Sequence, residues 1–327
     1  MKKILLLDTS IATQNIGDTI INSSIQINWP ELFKSNFIIR FPSHTPPYSW
    51  WQQLFFPRKC NLAKNADYKF LCGTNALYSN MLRPIPQWNI HPWNTSMLSG
   101  TILLGVGAGI NSKGINHYTK YLYSKVLSHD FVHSVRDGYT EEMLRKLGFE
   151  AINTGCPTIW GFTKSFCSQI PTTKADNVIF TLTGYQPNVE NDKAMVRLLQ
   201  RNYNNLYFWP QTYEDINYLN SLGEFKYQVI APNLESYDKA LEMDVDYVGN
   251  RLHGGIRALQ HKKRALIIAI DYRATNMLKD FSLPIIPREK IVEMLECIIN
   301  SQNSIAVSGL DLDKISLWKS QFNFGDE

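Results

Sequence analysis

Short, unbroken runs of aliphatic residues recur along this chain and alternate with longer stretches in which apolar positions return every three to four residues. An unbroken apolar run is buried on both faces, and in a water-soluble domain only a parallel sheet with helices on either side buries a strand that way. The alternation therefore predicts βα units. In the first half, strands are expected at 4–7, 37–41, 68–72, 101–106 and 131–135, with helices at 18–28, 117–128 and 139–147. In the second half, strands are expected at 177–183, 206–209, 227–231, 246–249, 265–270 and 284–286. Helices are expected there at 190–203, 213–222, 236–242, 254–260, 275–281 and 289–300.

A polar stretch at 165–176, SFCSQIPTTKAD, separates the halves and reads as a linker. With 327 residues, 44% of them hydrophobic, there is material for two cores. The expected architecture is α/β, with two Rossmann-like domains whose parallel sheets face each other across a cleft. The first spans 1–170, the second spans 171–305, and 306–327 is a tail packing back on the first. Two stretches, 42–58 and 83–93, are rich in proline and aromatics and have neither period. They are expected to be long loops, lining a ligand site or covering a sheet edge, with Trp50, Trp51, Trp88 and Trp93 either stacking on a ligand or packed inside.

Composition narrows the function. Lys and Arg (33) exceed Asp and Glu (29) by four, too small a surplus for a nucleic-acid binder. The five cysteines include no CxxC pair, which fits a reducing compartment and argues against a zinc knuckle. The opening MKKILLLD is too short an apolar run for a signal peptide and reads as a first strand, and no apolar stretch is long enough to span a bilayer. A cytoplasmic protein is expected, free or peripheral to the inner face of a membrane, with no structural metal.

The segment carrying most chemistry is Gly249-Asn250-Arg251-Leu252-His253-Gly254-Gly255, between an apolar strand and a helix. Ligands of open parallel sheets bind at such strand ends, where the next helix presents free N–H groups. Arg251 offers a planar fork for phosphate or carboxylate, and the glycines let an anion near the backbone. His253 can exchange a proton near neutral pH. The plainer alternative is an Arg251 ion pair and a His253 helix cap. Ser134-Val135-Arg136-Asp137 repeats the placement in the first half, with Arg136 a candidate anion ligand or ion-pair member and Asp137 a helix cap. Asn15-Ile16-Gly17-Asp18 could present N–H groups to an anion, although it is no Walker loop. Gly105-Val-Gly107-Ala-Gly109 lacks the last glycine of a dinucleotide turn, Ile110 standing near its place, so NAD and FAD are not expected. Asp244-Val-Asp246 looks like a sugar-transferase DxD but leads into a strand.

Taken in order, Asn15-Ile-Gly-Asp18, Gly105-Val-Gly107, Ser134-Val-Arg-Asp137 with Leu144-Arg-Lys-Leu-Gly148, Thr154-Gly-Cys-Pro157 and Arg251-Leu-His-Gly254 resemble the polysaccharide pyruvyl transferase family, over nearly the whole chain to about residue 280. The resemblance implies a GT-B-like pair of domains, with 1–170 on the acceptor side and 171–305 on the donor side, and a pyruvyltransferase moving the pyruvyl group of phosphoenolpyruvate, as a ketal, onto a sugar of a cell-surface, capsular or exopolysaccharide precursor. It implies His253 as the catalytic acid or acid/base. Arg136, Arg251, Leu252 and Gly254 would bind the donor, and Asn15, Gly17, Asp18 and Gly107 would contact substrate. It implies no cofactor beyond phosphoenolpyruvate as donor substrate, a saccharide acceptor, lipid-linked in one version, and no nucleic acid. The chain departs from the family pattern at Cys72-Gly-Thr-Asn75, at Cys156 and at Arg273. A GT-B glycosyltransferase using a nucleotide sugar and a non-catalytic sugar- or anion-binding protein are the competing expectations.

Overall fold

A computed structural model describes residues 1–84, 86–109, 114–271, 274, 277, 280–302 and 309–324. Arg273, most of the helix expected at 275–281 and the start of the expected tail at 306 lie outside them. The chain divides into two compact units. The first comprises Met1–Thr13, Ile21–Trp160 and Asp311–Glu327, and the second comprises Gln14–Ile20 and Gly161–Leu310. The 165–176 stretch thus lies inside the second unit, and Lys164–Cys167 within it forms one helical turn.

In chain order the first-unit elements are β1 (Lys3–Asp8), α1 (Ile16–Asn28, its first turn counted with the second unit), β2 (Phe37–Pro42), α2 (Trp50–Phe55), α3 (Pro57–Lys64) and β3 (Tyr68–Cys72). There follow β4 (Thr101–Leu104), α4 (His117–Val126), β5 (His133–Val135), α5 (Gly138–Lys146) and β6 (Ala151–Asn153). The four-stranded sheet has the order β2-β1-β3-β4, all parallel, and β5 pairs with β6 beside it through a bridge between Val106 and Val135. Leu5, Leu7, Leu71 and Leu103 are buried in its core.

The second unit contains β7 (Asn177–Thr181), α6 (Val189–Asn202), β8 (Asn205–Phe208), α7 (Tyr213–Ser221), β9 (Gln228–Val229) and α8 (Leu234–Ala240). It continues with β10 (Val245–Gly249), α9 (Leu252–Gln260), β11 (Ala265–Ala269), β12 (Ile285–Pro287) and α10 (Ile291–Asn300). Its six parallel strands run β12-β11-β10-β7-β8-β9. Counted from the unit's own first strand this is the doubly wound order 3-2-1-4-5-6, so the chain reverses direction across the sheet between β7 and β10. Every residue of β10 and β11 is buried, as strands covered on both faces require. The last helix, α11 (Leu312–Ser320), returns to the first unit. There Trp318 and Phe322 pack on Trp29 and Phe70 with ring centroids 5.1–6.5 Å apart, and Trp318 Nε1 donates to Val132 O at 2.7 Å.

The expectation of irregular chain over 42–58 is corrected, since α2 and α3 occupy much of this region. The Gln52 side chain accepts from Ser49 N at 2.8 Å at the start of α2, and Pro57 stands in the first turn of α3, where a missing N–H costs nothing. Helix α2 buries none of its side chains and therefore carries no apolar stripe to read. Trp88, by contrast, is wholly buried and stacked on Tyr123, so it is core. Among the described residues no helix is long and apolar enough to cross a membrane.

Candidate active site

In the second unit the site grows out of the close approach of β7 and β10 at their carboxyl ends. A Cβ on Gly249 would lie 2.2 Å from Thr181 Oγ1, so the strand end tolerates no side chain there. Thr181 Oγ1 bonds Tyr247 Oη at 2.6 Å and accepts from Arg251 N at 3.3 Å, and Tyr247 Oη donates to Arg251 O at 2.8 Å. These bonds hold Arg251, in extended conformation, as the residue before α9. Leu252 and His253 then occupy the first turn, where backbone N–H groups have no helical acceptor.

Gly254 and Gly255 serve packing. A Cβ on Gly255 would meet Ile267 at 2.3 Å and one on Gly254 would meet Tyr247 Oη at 3.1 Å, while Tyr237 Oη donates to Gly254 O at 2.8 Å. Their missing side chains bring α9 onto the sheet, and Gly254 does not line the cavity described next.

Arg251 is buried and its Nη2 is held by Asp215, at 2.5 Å to Oδ1 and 2.6 Å to Oδ2. Asp215 is itself fully buried and also accepts from Gly184 N (3.1 Å), Gln211 N (3.0 Å) and Thr212 N (3.1 Å). One carboxylate thus ties together the turn after β7, the loop after β8 and the arginine after β10. The ion pair considered from sequence exists, and it lies inside the unit rather than on its surface. The guanidinium is also 5.3 Å from the Tyr185 ring centroid, and Tyr185 Oη donates to Asp271 Oδ2 at 3.3 Å.

Around this framework lies a cavity of about 220 Å³. Arg251, Leu252, His253, Asn250, Gln211 and Thr212 line it from the strand ends, Tyr185 and Asp271 from their loops, and Asn15 and Gly17 from the segment 14–20. It is smaller than the ~300–1,000 Å³ of drug-sized sites, a scale that suits a small metabolite. A Cβ on Gly17 would lie 3.4 Å from His253 Nδ1, so the imidazole rests against this turn. Asn15 shapes the turn, accepting from Gly17 N at 3.2 Å and donating to Asp18 Oδ2 at 3.1 Å. Three lining residues keep buried polar atoms with no partner among the described residues: both side-chain atoms of Asn250, Gln211 Nε2 and Arg251 Nε. Buried polar atoms are nearly always satisfied, so a cluster of unpaired ones on three residues that line one cavity sets this part of the unit apart.

Arg136 and Gly107 belong to the first unit. Arg136 is buried, its guanidinium donates to Asn75 Oδ1, and its Nε is 3.5 Å from Asp137 Oδ2. A Cβ on Gly107 would fall 2.3 Å from that Nε, so the glycine leaves room for the arginine. Asp137 caps α5, accepting from Thr140 N at 2.8 Å. Asp246 of the DxD-like pair is buried and accepts from Tyr203 Oη at 2.7 Å, a structural placement.

A profile of the family described as polysaccharide pyruvyl transferase matches residues 15–272, most of the chain. The chain belongs to the polysaccharide pyruvyl transferase family. It is therefore a transferase, of a family defined by pyruvyl transfer onto polysaccharide. No curated protein matches it in sequence. Among solved structures it is similar to UDP-GlcNAc 2-epimerase of Methanocaldococcus jannaschii, crystallised with UDP-GlcNAc and UDP. The two are 14% identical with a TM-score of 0.52, covering 98% of this chain and 99% of the other. That likeness supports the GT-B-like, two-unit α/β fold.

The matched range contains every candidate site residue named above from sequence, and also five that sequence reading gave no role: Asn250, Gln211, Thr212, Asp215 and Tyr185. Thr212-x-x-Asp215 is a capping-box pattern at the start of α7, and that signal could have drawn attention to Asp215. Nothing local distinguishes Gln211 or Tyr185, which reach the cavity through the sheet order alone.

Proposed function

We propose that the chain transfers the pyruvyl group of phosphoenolpyruvate to two hydroxyls of a saccharide, giving a ketal and inorganic phosphate, and that the second-unit cavity holds the donor. The observation that carries this reading is the set of unmatched buried polar atoms on Asn250, Gln211 and Arg251, beside the first turn of α9 at the point where the strand order reverses. Phosphoenolpyruvate brings a phosphate and a carboxylate to be met by several N–H donors. Arg251 Nε, Gln211 Nε2 and Asn250 Nδ2 are donors of that kind. Asp215 fixes the arginine fork by its Nη2, which leaves Nε without a protein partner and, in this reading, for the donor.

In the reaction a proton is delivered to the methylene carbon, and the neighbouring carbon becomes electrophilic. One sugar hydroxyl adds to that carbon, phosphate leaves, and the second hydroxyl closes the ketal. Of the two hydroxyl protons, one replaces the proton spent on carbon and one leaves with phosphate. His253, which lines the cavity with its ring against Gly17, is the group that gives and recovers the proton. A precursor of a capsule or exopolysaccharide is the acceptor class proposed.

The test is phosphate release from phosphoenolpyruvate in the presence of candidate glycans. Release by the wild-type chain should fall at least ~100-fold in His253→Gln, the usual scale of a general acid. Stabilisation against heat by UDP and none by phosphoenolpyruvate would replace this reading with that of a nucleotide-sugar transferase.

A further inference from the structure

Helices α2 and α3 carry a feature apart from the second-unit cavity, none of whose lining residues they supply. Helix α3 anchors the pair, burying Cys60 and Ala63 in the first unit's core. Helix α2 buries none of its residues, and Trp50, Leu54 and Phe55 are each more than 60% exposed, with Trp51, Phe56 and Leu62 also exposed. Trp51 and Phe56 hold each other edge to face at 6.4 Å. Six large apolar side chains within thirteen residues are far more than the isolated apolar residues a soluble surface ordinarily carries.

The charge around them has one sign. From Phe37 to Ala66 there is no Asp or Glu, while Arg40, Arg58, Lys59 and Lys64 give this stretch +4, equal to the net charge of the whole chain. Arg40 is paired with Asp8, whereas Arg58, Lys59 and Lys64 are exposed and stand in no ion pair among the described residues. Exposed Trp, Leu and Phe followed directly in the chain by exposed arginine and lysine supply the two kinds of group a bilayer surface takes, apolar and aromatic ones at the acyl boundary and cations at anionic headgroups. A second copy of the chain is the poorer fit. A two-fold contact through this face would set Arg58, Lys59 and Lys64 against themselves.

We infer that the α2–α3 segment docks the protein on an anionic lipid surface. The inference is independent of the donor and of the acceptor. Full-length protein is mixed with vesicles of phosphatidylcholine alone or of phosphatidylcholine with phosphatidylglycerol, and bound protein is measured by sedimentation. Partition should require phosphatidylglycerol. Each basic side chain at an anionic surface strengthens binding roughly fivefold, so Arg58→Glu/Lys59→Glu should weaken it at least ~25-fold. Trp50→Ser/Phe55→Ser should weaken it at least ~10-fold. Bromine-labelled lipid should quench wild-type tryptophan emission, a measurement that needs no variant. Because the substituted side chains are exposed, melting temperatures should stay at the wild-type value. Absence of partition and quenching, or equal partition of wild type and variants, would overturn the inference. So would a dimer in gel filtration that the same substitutions dissociate with no vesicle binding.

Discussion

Asp215→Asn is the sharpest perturbation of the second unit because it keeps the side-chain volume and removes the charge on which four donors converge. Asp215 accepts from Gly184 N, Gln211 N, Thr212 N and the Arg251 fork, and both residues of the ion pair are buried. An asparagine keeps one acceptor oxygen and turns its amide toward donors on the other side. Leaving a buried arginine without its carboxylate costs about 3–5 kcal/mol, and a stranded backbone N–H falls within the same range. We therefore expect a loss of about 4 kcal/mol in the second unit, which at a urea slope of ~2 kcal/mol/M lowers its midpoint by ~2 M.

Trp209 is the only tryptophan of this unit, buried and stacked on Tyr237 at 3.7 Å. The fluorine resonance of 5-fluorotryptophan at Trp209 therefore follows the second unit apart from the first. Arg251→Met should cost less, because Asp215 retains its three backbone donors. In that background the Asp215→Asn cost should shrink, the difference being the coupling of the pair. A midpoint shift below ~0.5 M, or an undiminished cost in the Arg251→Met background, would refute the clamp.

Two further outcomes concern the first unit. His133 is buried, with Nδ1 accepting from Leu103 N (3.1 Å) and Nε2 facing Ser128 O (3.0 Å), and burial pushes its pKa down to about 4. Its folded value lies below the unfolded one near 6.5, so the unfolded chain takes up the proton first. Stability present above pH 6.5 should be lost as the pH falls toward 4, by about 3 kcal/mol. Urea midpoints from pH 7 to 4.5 should fall steeply for wild type and less for His133→Gln; equal slopes would contradict the assignment. Gly107→Ala drives a methyl to 2.3 Å from Arg136 Nε and 2.7 Å from Asn75 Oδ1, so it should cost about 1–3 kcal/mol and displace the arginine. Thermal melting and a crystal structure of the variant would check it, and an unmoved Arg136 would show the space to be looser than described.

The parallel sheets were legible because strands buried on both faces, such as Ala265–Ala269, must be apolar throughout. Arg251 and His253 were legible because a strand end followed by a helix start is a local pattern. The Asp215 clamp was hidden because the two partners that make it a clamp, Gly184 and Arg251, are 31 and 36 residues away and are brought together only by the order of the strands. Helix α2 was hidden for the opposite reason, having no buried face to impose a period. The glycines after His253 suggested open access to an anion, yet Ile267 and Tyr247 fill the space beside them, which only the packing of α9 could reveal.

The cluster of Trp29 and Phe70 with Trp318 and Phe322 sets a timetable for synthesis. The first unit's strands leave the ribosome early, but the residues covering Trp29 and Phe70 follow about 150 positions after Trp160. At ~5–20 residues per second, that aromatic surface stays open for roughly 8–30 s while residues 161–310 of the second unit are made. The nascent chain passes through a state with one complete unit and one unfinished one, and during that interval a chaperone has most to protect.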